Sequence, residues 1–320
     1  MVRNAYQHRG LRLFFGMLGI MAALVASRLM AGEAAGQKSF ISPQQAVVSL
    51  VAAVQGDNHT ELLAILGPGS EDLISSGDRV ADQNGRARFL KAYEKKNSLE
   101  PEDEGRMVLL VGERDYPFPI PIVRQVDVWR FDTKAGIEEI LNRRIGRNEL
   151  HTIEVMHAYT DAQREYACMK RNGGGPEFAQ QFGSSEGKKN GLYWESGDDE
   201  AESPFGPLIA RATREGYTGG LAEDPPEPFH GYYFKILKGQ GKHAKGGSFD
   251  YVADGKMVLG FALVAYPAKY GASGIMTFIV NQEGLIYEKD LGEDTAAAAM
   301  AMTEFDPDDS WKVYDEQAKH

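Results

Sequence analysis

Apolar residues begin to recur at helical spacing soon after position 40. Ala46, Val47, Leu50, Val51 and Val54 fall on one helical face, Ser42 offers a capping hydroxyl, and Pro43 fills the first helical position. Gly56-Asp57-Asn58 stops this helix. Residues 60–66 predict a second short helix, ended by Gly67-Pro68-Gly69, and residues 86–95 a third. Strands are predicted at 107–112 and 126–131. Between them Tyr116-Pro117-Phe118-Pro119-Ile120-Pro121 has proline at every second place, which restricts it to an extended edge or polyproline segment. Asp132-Thr133 restarts helix, with Ile137, Ile140, Leu141 and Ile145 on one face. Gly146 is expected to interrupt it. Asn148 is then expected to cap a longer amphipathic helix through Met169, carrying Leu150, Ile153, Met156, Tyr159, Ala162 and Tyr166 at spacings of three and four.

The composition shifts to Gly, Pro, Asp and Glu over residues 172–228, a loop-rich stretch with one short helix expected at 208–215. Beyond it, β-branched and aromatic runs at 232–237, 249–252, 261–266, 275–280 and 285–288 predict an antiparallel meander. The punctuation between them includes Gly239-Gln240-Gly241, read as a turn, and residues 295–303 predict a closing helix. The pattern as a whole predicts an α+β fold of two domains. A small helix-plus-curved-sheet domain covers 40–146, a long helix packed on an antiparallel meander covers 147–314, and 315–320 form a tail.

Ahead of these elements the chain has a different plan. Arg3, Arg9 and Arg12 precede an uncharged apolar run of 14 residues, 13–26, followed by small residues at Ala31, Gly32, Ala34 and Ala35. That order predicts a cleavable secretory signal over residues 1–34. The run is shorter than the roughly 20 apolar positions a membrane-spanning helix needs. Export to the periplasm or the medium is therefore expected, with no stable membrane span after processing. The formal net charge is −11 and falls to about −14 without the leader, an acidic balance that argues against nucleic acid. Cys168 is the only cysteine, so no internal disulfide is available, and it reads as a small buried hydrophobe on the long helix.

Three resemblances follow from these residues. The block at 40–141, with its Ser-Pro-started helix, Gly-Asp turn, short helix and Trp129-bearing strand, resembles the small cone-shaped folds similar to nuclear transport factor 2. The helix run Ala158-Tyr159-Thr160-Asp161-Ala162-Gln163-Arg164-Glu165-Tyr166-Ala167, with Gly231-Tyr232-Tyr233-Phe234, Ala265-Tyr266-Pro267-Ala268-Lys269-Tyr270-Gly271 and Gly274-Ile275-Met276-Thr277-Phe278, resembles the globular half of type IV pilin-like and pseudopilin proteins. A soluble block stands where a pilin has its polymerising segment. From 40 to 311 the chain resembles an exported bacterial family catalogued as domain of unknown function 2950. Leu66-Gly67-Pro68, Ser75-Ser76-Gly77-Asp78, Tyr116 to Pro121, Trp129-Arg130-Phe131-Asp132-Thr133, Arg144-Ile145-Gly146-Arg147-Asn148-Glu149, His230-Gly231-Tyr232-Tyr233 and Tyr270-Gly271-Ala272-Ser273-Gly274 carry that resemblance. It implies bacterial origin and export and brings no assigned activity.

Candidate chemistry is sparse. The seven histidines are scattered, and His151 and His157 lie six apart, off the spacing of helical metal ligands. Asp306, Asp308 and Asp309 lack the glycine and terminal glutamate of a calcium loop. Gly239-x-Gly241-x-x-Ala244 is followed by a strand instead of the helix that a dinucleotide site needs. No cofactor and no metal is expected. Two constellations remain. Tyr93, Tyr116, Arg124, Trp129 and Asp132 are a candidate pocket at the mouth of the first domain, while Tyr193, Trp194, His230, Tyr232 and Tyr233 are a candidate interface on the second. Arg143, Arg144 and Arg147 flank the junction, either paired with Glu138, Glu139 and Glu149 or clamping the domains together. The expected function is that of a monomeric, non-catalytic envelope component binding a partner protein or envelope polymer. The alternatives are a small-molecule carrier or enzyme using the first-domain pocket, and an accessory of a pilin-like secretion system.

Overall fold

The computed structural model describes residues 36–169, 176–197, 200–218 and 227–315; the leader and residues 316–320 of the tail lie outside them. The chain is a mixed α+β fold. Helices α1 (Pro43–Gln55), α2 (His59–Leu66), α3 (Glu71–Ile74) and α4 (Arg79–Lys95) precede a five-stranded antiparallel sheet. Its strands are β1 (Asn97–Asp103), β2 (Arg106–Val111), β3 (Tyr116–Pro117), β4 (Ile122–Gln125) and β5 (Val128–Phe131). The order is β1-β2-β4-β5, with β3 pairing on β2. Local chemistry sets the helix starts: Ser42 accepts from the Gln45 amide, Asn58 from Glu61 and Asp78 from Ala81. Phe40, Leu50, Ile65, Leu109, Ile120, Ile122 and Phe131 centre the first hydrophobic core.

Helix α5 (Thr133–Cys168) then runs unbroken for 36 residues, roughly 54 Å at helical rise. The expected break at Gly146 does not occur, and the boundary drawn there falls in mid-helix. Burial explains the continuity: Ile145, Asn148, Thr152, Met156, Tyr159, Gln163 and Tyr166 keep one stripe inside across the glycine. The polar members of that stripe are satisfied. Thr152 donates to the Asn148 carbonyl at 2.9 Å, and Gln163 bridges the Tyr159 hydroxyl (3.0 Å) and the Ala179 carbonyl (2.8 Å). Cys168, two residues past Tyr166, is turned away from this face and is exposed instead of buried.

Helix α6 (Gly206–Arg214) leads to the second sheet, formed by β6 (Tyr232–Leu237) and strands that follow an excursion. In the excursion lie β7 (Gly239–Gln240), β8 (Phe249–Asp250), β9 (Val252–Ala253) and β10 (Lys256–Met257). Next come β11 (Ala262–Pro267), β12 (Met276–Asn281), β13 (Ile286–Asp290), α7 (Thr295–Ala301), β14 (Glu304–Phe305) and β15 (Lys312–Val313). The main sheet has the order β15-β13-β12-β11-β6, all antiparallel, as a meander requires. Two expectations fail within it. The run at 249–252 is outside the meander, because β6 pairs directly with β11. Gly239-Gln240 forms a short strand instead of a turn, antiparallel to β8 and parallel to β14, with Gln240 wholly buried. Met156, Tyr159, Tyr232, Phe261 and Phe278 centre the second hydrophobic core.

Candidate functional site

Two helices serve both cores. Val80, at the start of α4, belongs to the second core, while Phe89, Leu90 and Tyr93 further along pack on the first. In α5, Ile140 packs on the first core and the residues from Ile153 onward on the second. A cavity of about 810 Å³ opens where they cross from one to the other. Small-molecule sites span roughly 300–1,000 Å³.

Buried hydrogen bonds hold this seam. Asp78 Oδ1 caps α4 through the Ala81 amide at 2.8 Å. Its Oδ2 accepts from the Gly231 amide (2.8 Å) and the Tyr217 hydroxyl (2.9 Å), across the chain from α4. Burial raises the Asp78 pKa above its ordinary value, against these three donors. Asn148 donates to the Ser273 carbonyl at 2.9 Å, and Glu149 accepts from the amides of Ile275 (3.2 Å) and Met276 (3.1 Å). Gly231 is required here: it has φ 78°, and a Cβ would lie 2.5 Å from Asn148 Nδ2.

The cavity is lined by six arginines, Arg86, Arg88, Arg143, Arg144, Arg147 and Arg214, against two carboxylates, Asp82 and Glu215. Three of the arginines are committed to the protein. Arg86 pairs with Asp57 at 3.0 Å, Arg143 pairs with Glu139 and lies over the Tyr116 ring, and Arg144 donates to the carbonyls of Asp72 (2.5 Å) and Leu73 (2.6 Å). Arg88, Arg147 and Arg214 are exposed and have no carboxylate partner among the described residues. Partial desolvation of the Arg147 guanidinium against the cavity, and then the neighbouring Arg88 cation, hold its pKa below the ordinary value. Asp82 accepts from the Ser76 amide at 2.9 Å, and Glu215 from Arg211 at 3.2 Å, so both carboxylates are engaged.

Two imidazoles complete the wall. The rings of His151 and His230 lie 4.3 Å apart. Burial first, then His151, Arg211 and Arg88, push the His230 pKa down to about 3, leaving the ring neutral. Glu215 Oε2 is 3.0 Å from His230 Nε2, without hydrogen-bond geometry. His151 Nδ1 is also buried and unpartnered. Uncompensated guanidinium groups beside neutral, hydrogen-bond-capable rings can recognise an anion.

Of the five candidate pocket residues, Tyr116 lines this cavity. The other four are placed elsewhere. Tyr93 packs on the first core, Arg124 lies 4.0 Å from Asp127 on the β4–β5 hairpin, Trp129 exchanges backbone bonds with Phe40, and Asp132 sits 3.7 Å from Arg106. The five candidate interface residues are dispersed. His230 lines the cavity, Tyr232 is fully buried with its hydroxyl on the Met276 carbonyl (2.9 Å), and Tyr233 packs on Tyr266. Tyr193 and Trp194 line a second cleft of about 470 Å³ beside α6. The arginines flagged at the junction, Arg143, Arg144 and Arg147, do meet at the cavity; Arg86, Arg88 and Arg214 carried no sequence signal, since isolated arginines on helices look solvated. Among the described residues no cluster of metal-ligating side chains is present, and no helix is long and apolar enough to cross a membrane.

Residues 37–314 match the family described as protein of unknown function (DUF2950). No curated protein and no solved structure matches the chain.

Proposed function

The chain belongs to the DUF2950 family, and from its cavity we propose that it binds a small anionic ligand between its two cores. The observation that carries this is the lining of six arginines against two engaged carboxylates, in a chain whose net charge is −11. An acidic protein that gathers unpaired guanidinium groups around one cavity bears a repulsive cost there, which an anion relieves. The protein acts as a binder in this reading, with no covalent step. Its site lies outside the cytoplasm, supported by the basic leader and short apolar run at 1–34. A docking surface for a partner protein or envelope polymer is less well supported, because Tyr232 is buried and His230 lines a different cavity from Tyr193 and Trp194. The likenesses to nuclear-transport-factor-2-like and pilin-like folds rest on sequence pattern, and anion binding is independent of both.

Thermal unfolding with inorganic phosphate and pyrophosphate tests the proposal. A saturable rise in Tm is expected for the wild type. Replacing Arg88 and Arg147 by Gln should weaken binding about tenfold or more, the size of a lost charge-assisted hydrogen bond. Equal shifts in wild type and double variant would contradict the assignment.

A further inference from the structure

The walls of the cavity are segregated by chemistry. Every lining residue contributed by α1, α2, β2 and the segment 117–120 is apolar: Leu50 and Val54, Leu62 and Leu66, Val111, and then Pro117 through Ile120. The arginines, the carboxylates and the two histidines all come from α4, α5, Arg214, Glu215 and His230. A simple inorganic anion would use only the second wall. On the first, Val54, Phe118 and Pro119 are half-buried and Pro117 is exposed, which leaves apolar surface inside a concave site, where covering it is favourable in proportion to area. Arg88, Arg147 and Arg214, which have no carboxylate partner among the described residues, are exposed, whereas Leu50, Leu62, Leu66 and Ile120 on the apolar wall are buried. Charge therefore sits towards the opening and hydrocarbon towards the interior. Phe89 and Phe118, with ring centroids 5.6 Å apart, both line the cavity and add flat apolar surface to it.

We infer that the ligand is an amphipathic anion: an alkyl or acyl chain lying against the first-core wall, with a carboxylate or phosphate head held by Arg88, Arg147 and Arg214. This rests on the proposed anion site and adds the class of molecule it accepts. The volume of about 810 Å³ accommodates a chain together with its head. The shared chemistry has two sources, a free single-chain amphiphile and the head and chain of a membrane lipid.

Isothermal titration of the mature chain tests it, with straight-chain alkyl phosphates of increasing length kept below micelle formation, and inorganic phosphate as the chainless control. Affinity should rise roughly fourfold per added methylene until the apolar wall is covered, then level off. Leu73→Gln, at a position lining the cavity from α3, and Phe118→Ser on the apolar wall should flatten that rise while leaving inorganic phosphate binding unchanged. If a variant does not fold, the wild-type length series decides alone. Arg-dependent phosphate binding with no gain from chain length would overturn the amphiphile and leave the anion site standing. Absence of Arg-dependent binding by any probe would remove both. Extraction of the same lipid phosphate from anionic vesicles would identify a membrane source, and binding confined to the monomeric amphiphile a free one; either supports the class.

Discussion

At the residue scale, His230 joins the seam to the site. It adopts φ 50°, its amide donates to the Tyr217 hydroxyl at 3.2 Å, and its ring packs at a tilt against those of His151 and Phe229. The side chain is 13% exposed, and its folded pKa of about 3 lies well below the ordinary 6.5. An imidazole kept neutral by the fold but protonated in the unfolded chain makes stability rise with pH between those two values. Its contribution is complete above about 6.5 and is lost as pH falls towards about 3. His151, whose pKa burial also lowers, acts in the same direction. Denaturant unfolding across this window should show proton uptake on unfolding, and His230→Gln should reduce that uptake. An unchanged pH slope in the variant would show that the ring is not held neutral. From the sequence, His230 stood among aromatic residues and read as part of a surface. Its neighbours in space, His151 and Arg88, lie far away in the chain, so no local pattern exposed the pairing.

At the element scale, α5 shows how far periodicity can be trusted. Its apolar stripe was legible on both sides of Gly146, but the glycine looked like a boundary. A glycine inside a helix costs only about 1 kcal/mol, and burial on two cores exceeds that. Two glycines in this helix predict opposite outcomes for one substitution. Gly146 has open space where a Cβ would point, so Gly146→Ala should stabilise by about 0.5–1 kcal/mol. Gly136 packs on the loop carrying the cavity's apolar wall, where an added Cβ would lie 2.3 Å from the Pro119 carbonyl oxygen. Gly136→Ala should destabilise by about 1–3 kcal/mol. Paired denaturation curves check both signs, and a loss of stability at Gly146 would mean the helix needs flexibility there. The strands fared differently. The meander was readable because β6, β11 and β12 are mostly buried and rich in β-branched and aromatic residues. Strand β1, with Glu100, Pro101 and Asp103 on an exposed edge, has almost no such signal and went unseen. The same holds for β7, two residues long and defined only by its partners β8 and β14.

At the scale of the whole molecule, the cavity exists because two cores share α4 and α5 without closing completely between them. Sequence reasoning marked Arg143, Arg144 and Arg147 together and placed the pocket at Tyr93, Tyr116, Arg124, Trp129 and Asp132, of which Tyr116 lines the cavity. The difference is one of distance along the chain. The walls come from residues as far apart as Leu50 and His230, and only the folded path brings an apolar wall opposite a cationic one. A ligand filling that space touches elements of both cores, so binding should raise the stability of both together. The most direct test is a crystal structure of the chain grown with a medium-length alkyl phosphate. The phosphate is expected beside Arg88 and Arg147 with the chain running inward along Leu50, Leu62 and Phe118. Density for the ligand outside this cavity, or a phosphate bound there with its chain pointing into solvent, would contradict the account.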